Sequence, residues 1–351
     1  MSGCTVAKRV LLCLSHSIEE HDQLDLLSSL GYEVASIGGY INPQEPHDKK
    51  RPPLKDVPYF PEVQAAVDAL GTDDNLGLAQ SHIPEPILEW LGTDGVIIFH
   101  HYLSQRLYPQ WEHLAEWRAA GGRVIWRTVG QSVENNEREA QPFRDDGLEI
   151  VRYSPREQGI PGYAGSDAMI RFWKDPKEWR GWIGDELAVI NFTQHLWQRE
   201  PWTNWTFWEK ATRGLTRIPL GPGSEAIGGP GELEYWRMKL ILQHARCYLY
   251  TGTQPASYTL GLLEALMTGV PVVSIGPSHM NIFPYGPDLY EGHLLSHAWF
   301  DDPSEAHVHL AELLSSQEYA NEVSQAQRAA VIAEFGREPV GVAWRRFLGD
   351  P

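Results

Sequence analysis

The stretch ASYTLGLLEALMTGVPVVSIG, residues 256–276, places one carboxylate, Glu264, inside an otherwise apolar run. Burying a carboxylate is costly unless it is paired or hydrogen-bonded, so the position needs a reason. A helix starting near Thr259 would leave its first amides without intrahelical partners, and its dipole would favour an anion at that end. Glu264 lies about one and a half turns further on. From there it can accept hydrogen bonds from hydroxyls next to the anion, and a ribose carrying a diphosphate presents those two groups at that spacing. The plainer reading is a Glu on the solvated face of an ordinary helix.

Other residues able to do chemistry sit where strands should end. DGVIIFHHY (94–102) brings His100 and His101 to a strand terminus, where an imidazole suits a hydroxyl contact or a proton relay; one packed and one solvated His is the alternative. RTVGQS (127–132) gives Arg127, Thr128 and Gly130 a similar location, and HSIEEHD (16–22) offers His16 or Ser17 after the first strand. In YSPREQGIPGY (153–163), Arg156 and Glu157 read as an acceptor contact or as a structural ion pair. The acidic pairs in FDDP (300–303) and RDD (144–146) lack the strand-end setting of a metal-binding Asp-x-Asp, so no metal site is expected. GPGSEAIGGPG (221–231) follows a strand but has no phosphate-loop Lys.

The elements that must position these groups alternate. RVLLCLS (9–15), YEVASIGG (32–39), DGVIIFHHY, RVIWRTVG (123–130) and LEIVRYSP (148–155) read as strands. EEHDQLDLLSSLG (19–31), PEPILEWLG (84–92) and YPQWEHLAEWRAAGG (108–122) read as helices, with a loop over 42–61. Residues 156–182 break the rhythm, and alternation then resumes. ELAVINFTQ (186–194), GLTRIPLGPG (214–223), RCYLYTG (246–252) and VPVVSIG (270–276) are strands, and GELEYWRMKLILQHA (231–245) and YTLGLLEALMTG (258–269) helices. The reading is α/β: two Rossmann-like, doubly wound domains over 1–175 and 176–334, with a closing helix over 335–351. Ligands of such sheets bind at the carboxyl ends of the strands, here expected in a cleft between the domains.

Composition narrows the function classes. The 351 residues carry 29 basic and 46 acidic side chains, a net charge of −17, which argues against an all-over nucleic-acid coat. The 14 Trp residues read mainly as packing, with ring stacking the alternative. Three scattered cysteines make neither a disulfide framework nor a zinc site. The first apolar run is too short for a signal segment or a membrane span. A soluble cytoplasmic protein of a reducing compartment is expected; its oligomeric state is not legible.

The segment PASYTLGLLEALMTGVPVVS resembles the donor-binding segment of retaining GT-B glycosyltransferases, the large family-four group. Glu264, Ala265, Gly269 and Pro271 match the second half of that pattern, and Tyr258 its aromatic position. Ala256 stands where the family has its first Glu, which contacts the transferred sugar, and Thr259 stands where it has Gly. ELAVINFTQHLWQRE (186–200) is similar to the family's strand and Gly-Arg…Lys loop; Arg199 falls at the Lys position and Gln194 at the Arg position. The tail 301–348, with its leucine helix, Arg, acid–Phe pair and closing Trp helix, is also similar to the family's ending, which crosses back onto the N-terminal domain.

The resemblance implies a nucleoside-diphosphate sugar as co-substrate, with no further cofactor and no metal. Sugar transfer to an acceptor hydroxyl would retain configuration. It implies donor binding by Glu264 (ribose), Gln194, Arg199, Ser257, Tyr258, Thr259, Leu260 and Gly261, with Arg199 and His100 catalytic. The wording is closest to glycosyltransferases carried by bacteriophages, some of which act on hydroxymethylated pyrimidines in DNA. Basic groups in HDKKRPPLK (47–55), REQ (156–158) and WRRF (344–347) could meet a phosphate backbone. A small metabolite, a lipid-linked sugar or a surface polymer are the other acceptors. A nucleotide-sugar epimerase of the same fold and a non-catalytic binding module are the alternative functions. The reading further predicts that Glu264→Ala abolishes nucleotide binding while leaving the fold largely intact.

Overall fold

The computed structural model describes residues 8–13, 16–46, 51–69, 82–100, 107–130, 133–279 and 298–351. Along the chain these form β1 (Arg9–Cys13), α1 (Ser17–Ser29), β2 (Glu33–Ser36), α2 (Pro61–Asp68), α3 (Glu85–Leu91), β3 (Val96–His100), α4 (Tyr108–Trp111), α5 (Ala115–Ala119), β4 (Arg123–Arg127), α6 (Glu134–Asp145), β5 (Glu149–Arg152) and β6 (Ala168–Met169). The second half has β7 (Glu186–Asn191), α7 (Trp205–Ala211), β8 (Arg217–Pro219), α8 (Tyr235–His244), β9 (Ala245–Tyr250), α9 (Leu260–Thr268), β10 (Val272–Ile275), β11 (Trp299–Phe300), α10 (Pro303–Ser315), α11 (Gln317–Phe335) and α12 (Arg337–Leu348). The chain divides into two compact units. Unit 1 comprises Met1–Tyr153, Pro161–Trp173 and Val340–Pro351, and unit 2 comprises Ser154–Ile160 and Lys174–Pro339.

Unit 1 holds a six-stranded sheet in the order β2-β1-β3-β4-β5-β6, every pair parallel. Its strands are short apolar runs, as burial on both faces requires. Alternate side chains feed different cores. Leu11, Ile97, Phe99, Val124 and Trp126 join the α2, α3 and α6 side chains Val63, Ile87 and Phe143. Val10, Leu12, Val96 and Ile98 join Leu24 and Leu27 of α1 and Trp344 of α12. The C-terminal helix is therefore part of the first unit's core.

Unit 2 holds a five-stranded parallel sheet in the order β11-β10-β9-β7-β8. Val189, Leu249, Val273 and Ile275 pack with Phe207 and Trp208 of α7 and Leu310 and Leu313 of α10. The two-domain α/β reading stands, with differences in detail. The helix expected over 108–122 is two short ones, α4 and α5. Helix α6 carries Pro142 inside it, and α2, α7, β6 and β11 occupy stretches whose weak periodicity gave no element. The strand expected over 214–223 shortens to β8, because the glycine-rich part folds into a closed loop. In that loop Gly221 N–H donates to Gly231 O, and Gly231 N–H to Ser224 Oγ.

Candidate functional site

The strand order locates the site in unit 2. From β7 the chain goes to β8 on one side, then returns to β9 on the other, so the topology reverses between β7 and β9. In open parallel sheets ligands bind outside the carboxyl ends of the strands at such a reversal. The loops that leave β7 and β9 are residues 192–204 and 251–259; they carry Gln194, Arg199, Ser257, Tyr258 and Thr259 of the donor-binding residues read from the sequence, and Leu260, Gly261 and Glu264 follow in α9.

These two loops are stitched together. Asn191, buried at the end of β7, donates from Nδ2 to Leu249 O at 2.8 Å and Thr251 Oγ1 at 3.3 Å, and its Oδ1 accepts from Thr193 N–H. Asn204 Nδ2 donates to Thr251 O at 2.9 Å, and Gln254 N–H to Trp202 O at 2.8 Å. Asn204 holds a left-handed φ of 53° to make the turn into α7. The side-chain amides of Asn191 and Asn204, with the backbone of Gln254, thus continue the pairing that ends with the strands.

Helix α9 starts where its sequence says it should. Thr259 is the N-cap, its Oγ1 accepting from Leu262 N–H at 3.3 Å, and Gly269 closes the helix at φ 100°. The amides of Leu260 and Gly261 stand in the first turn, where a helix has no intrahelical carbonyl for its N–H groups. A side chain built at Gly261 would come 3.7 Å from the Cβ of Phe192, so this first turn lies against the end of β7. Thr259, Leu260 and Gly261 are half-buried, whereas Ser257 is buried and Tyr258 is a core residue packing edge-on against Phe335. Tyr258 can offer a ligand only its backbone.

Glu264 is buried, 4% exposed, and it has a partner that sequence reading missed. Lys174 Nζ donates to Glu264 Oε1 at 2.7 Å, with the lysine side chain fully buried. The expectation that Glu264→Ala spares the fold is thereby corrected, because the substitution strands a buried ammonium. Among the described residues Oε2 takes no hydrogen bond. Lys174 lies 90 positions away in a Trp- and Pro-rich stretch with no periodicity, and only the pairing itself identifies it.

Arg199 is half-buried, and its side chain makes no ion pair among the described residues; Gln194 is exposed in the same loop. Trp197 and Trp202 flank Arg199 in the chain, 44% and 42% exposed, while Trp173, Trp179 and Trp208 are core.

The residues expected in the N-terminal half are mostly structural. His100 ends β3 with no exposed surface, opposite Arg127 of β4, and His101 lies outside the described residues. Arg127 is also buried; its guanidinium donates to Arg152 O at 3.1 Å and Ile170 O at 2.5 Å, pinning β5 and the segment after β6. Thr128 Oγ1 donates to Val151 O and accepts from Tyr153 N–H. His16 caps α1, with Ser17 its first residue, and Gly130 holds a φ of 41°. Glu157 closes a capping box with Ser154, whose Oγ accepts from Arg156 N–H, so Glu157 serves the backbone of this turn. Of the basic groups weighed for DNA, Arg51 is buried against Asp22 at 3.1 Å and is unavailable to a phosphate, residues 47–50 lie outside the described set, and Arg345 and Arg346 are exposed. Among the described residues no three His, Cys, Asp or Glu side chains gather as a metal site. No helix among them is long and apolar enough to cross a membrane.

No protein-family model matches the sequence, and no curated protein is detectably similar to it. Solved structures are. A glycosyltransferase from Rickettsia africae superposes with a TM-score of 0.63 at 10% identity, over 99% of this chain and 100% of that one. HepE of Anabaena in complex with UDP-glucose gives 0.62 at 12% identity, over 98% and 100%. TarM gives 0.54 at 12% identity over 79% of this chain, which spans 59% of the TarM chain's length. The two parallel-sheet units thus have the GT-B fold of glycosyltransferases, matched over the full chain.

Proposed function

We propose that the chain is a glycosyltransferase that takes a sugar from a nucleoside-diphosphate donor, most simply a UDP-sugar, and delivers it to an acceptor hydroxyl. One observation carries the reading. The N-terminus of α9 and the buried carboxylate of Glu264 stand at the strand-order reversal of unit 2, where the fold expects its ligand. HepE, matched end to end, was solved in complex with UDP-glucose, and this supports uridine diphosphate as the nucleotide.

The chemistry assigns each group a task. The bond between the anomeric carbon and the diphosphate oxygen breaks, the acceptor oxygen bonds to that carbon, and the acceptor proton leaves with the departing phosphate. Charge builds on the diphosphate. The amides of Leu260 and Gly261 and the guanidinium of Arg199 would neutralise it, without a metal. Glu264 would hold the ribose hydroxyls. Ala256 supplies no carboxylate nucleophile, so front-side transfer with retained configuration is the mechanism proposed. The acceptor proposed is a hydroxymethylated pyrimidine in DNA.

Thermal denaturation with UDP, UDP-glucose, UDP-N-acetylglucosamine, GDP and ADP tests the donor half. A ligand present at about 100 times its Kd adds about 2.7 kcal/mol of stability. The expected result is a raised Tm with UDP and its sugars, diminished in Arg199→Ala. No shift with any nucleoside diphosphate overturns the reading. Retention on a DNA column at low salt, lost as salt rises, tests the acceptor half.

A further inference from the structure

We infer that Lys174 is a positioning residue for the nucleotide ribose: it holds one oxygen of Glu264 and leaves the other aimed at the sugar diol. This rests on the donor reading above and deepens it.

The pair is short and dry, 2.7 Å with side chains 0% and 5% exposed. A surface ion pair would contribute little and fix nothing, but a buried one whose two members are each anchored sets a geometry. Lys174 is anchored twice: its N–H donates to Phe335 O at 3.0 Å, and its ammonium lies 5.8 Å from the Trp179 ring centroid. Glu264 is anchored by α9, through the Thr259 cap at one end and Thr268 Oγ1 donating to Glu264 O at 2.7 Å. Phe335 closes the circuit, since its ring packs against Tyr258 in the loop that opens the helix. Loop, carboxylate and lysine form one packed assembly. With Lys174 on Oε1, the diol meets a single oriented oxygen, and no rotamer search accompanies binding.

A site built to hydrogen-bond a hydroxyl discriminates strongly against the analogue that lacks it. The test is therefore the ratio of affinities for UDP and 2′-deoxy-UDP, by calorimetry on the full chain. The unaltered protein should prefer UDP by about tenfold or more. Lys174→Met should bring the ratio to about one while 2′-deoxy-UDP binds as before, and Lys174→Arg should restore most of it. The double variant Lys174→Met/Glu264→Gln should show the same UDP to 2′-deoxy-UDP ratio as Glu264→Gln alone, because the lysine reaches the ribose through the carboxylate. That second comparison decides the matter if Lys174→Met does not fold. An unchanged ratio in Lys174→Met, equal weakening of both nucleotides, or a double variant whose ratio departs from that of Glu264→Gln overturns the inference. If the unaltered chain binds neither nucleotide, the donor reading falls first and this inference falls with it.

Discussion

The carboxylate at 264 is satisfied by an ammonium that no local pattern announces. Removing one member of a buried ion pair leaves the other uncompensated, at a cost of about 3–5 kcal/mol. Glu264→Ala should therefore lower the unfolding free energy by roughly that amount, and adding Lys174→Met should recover most of it, both read from urea unfolding. Arg152 and Glu137 form a comparable pair in unit 1, at 2.6 Å and nearly fully buried, with Glu137 also accepting from Ala164 N–H. Cys247 makes a different point. Burial pushes its thiol well above the ordinary range, so it should stay inert to a thiol reagent at pH 8 until the protein unfolds, which an absorbance assay with Ellman's reagent would follow.

At the scale of the element, α9 is the part where local rules and the proposed donor site coincide. Thr259 stands at a position where the resembled family has Gly, yet it serves as an ordinary N-cap. Thr259→Ala should cost about 1 kcal/mol, measured by denaturant midpoint at constant m. Gly269 ends the same helix in the left-handed region, with Ser324 Oγ 3.1 Å from where a Cβ would stand. A substitution there meets both backbone strain and crowding. Both effects act on the element that presents the amides, so each variant should also weaken UDP binding in proportion to the helix's loosening.

At the scale of the whole molecule, the last helix belongs to the first unit. Trp344 is fully buried among Val10, Leu12, Val96 and Ile98, and Lys8 Nζ donates to Leu348 O at 2.7 Å. Trp344→Ala should cost about 3–5 kcal/mol, detected as a lowered midpoint of unfolding. Tyr32 extends the same contact by donating its hydroxyl proton to Gly349 O. Burial, with Asp350 second, raises its ionisation from 10.0 to about 12. Below pH 10 the hydroxyl is protonated in both states and its contribution is complete. Between pH 10 and 12 the unfolded chain loses the proton first, so stability falls across that window. Tyr32→Phe should flatten this part of the alkaline fall in Tm.

The sequence by itself determined what depends on near neighbours: the buried strands, the capped start and glycine stop of α9, and hence a carboxylate about one and a half turns past a set of unpaired amides. Periodicity and capping are local physics, and they were legible there. Where local signals conflict or are silent, as with Pro142 inside α6 or the break at Glu112–Leu114 between α4 and α5, the elements were misjudged or missed. Only the tertiary structure decided which charges neutralise each other. Lys174 meets Glu264 and Arg51 meets Asp22 because the folded backbone brings them together, and burial turned Arg127, Thr128 and Glu157 from reactive candidates into braces. Pairing energy depends on distance and exclusion of water, and neither quantity exists until the chain has folded.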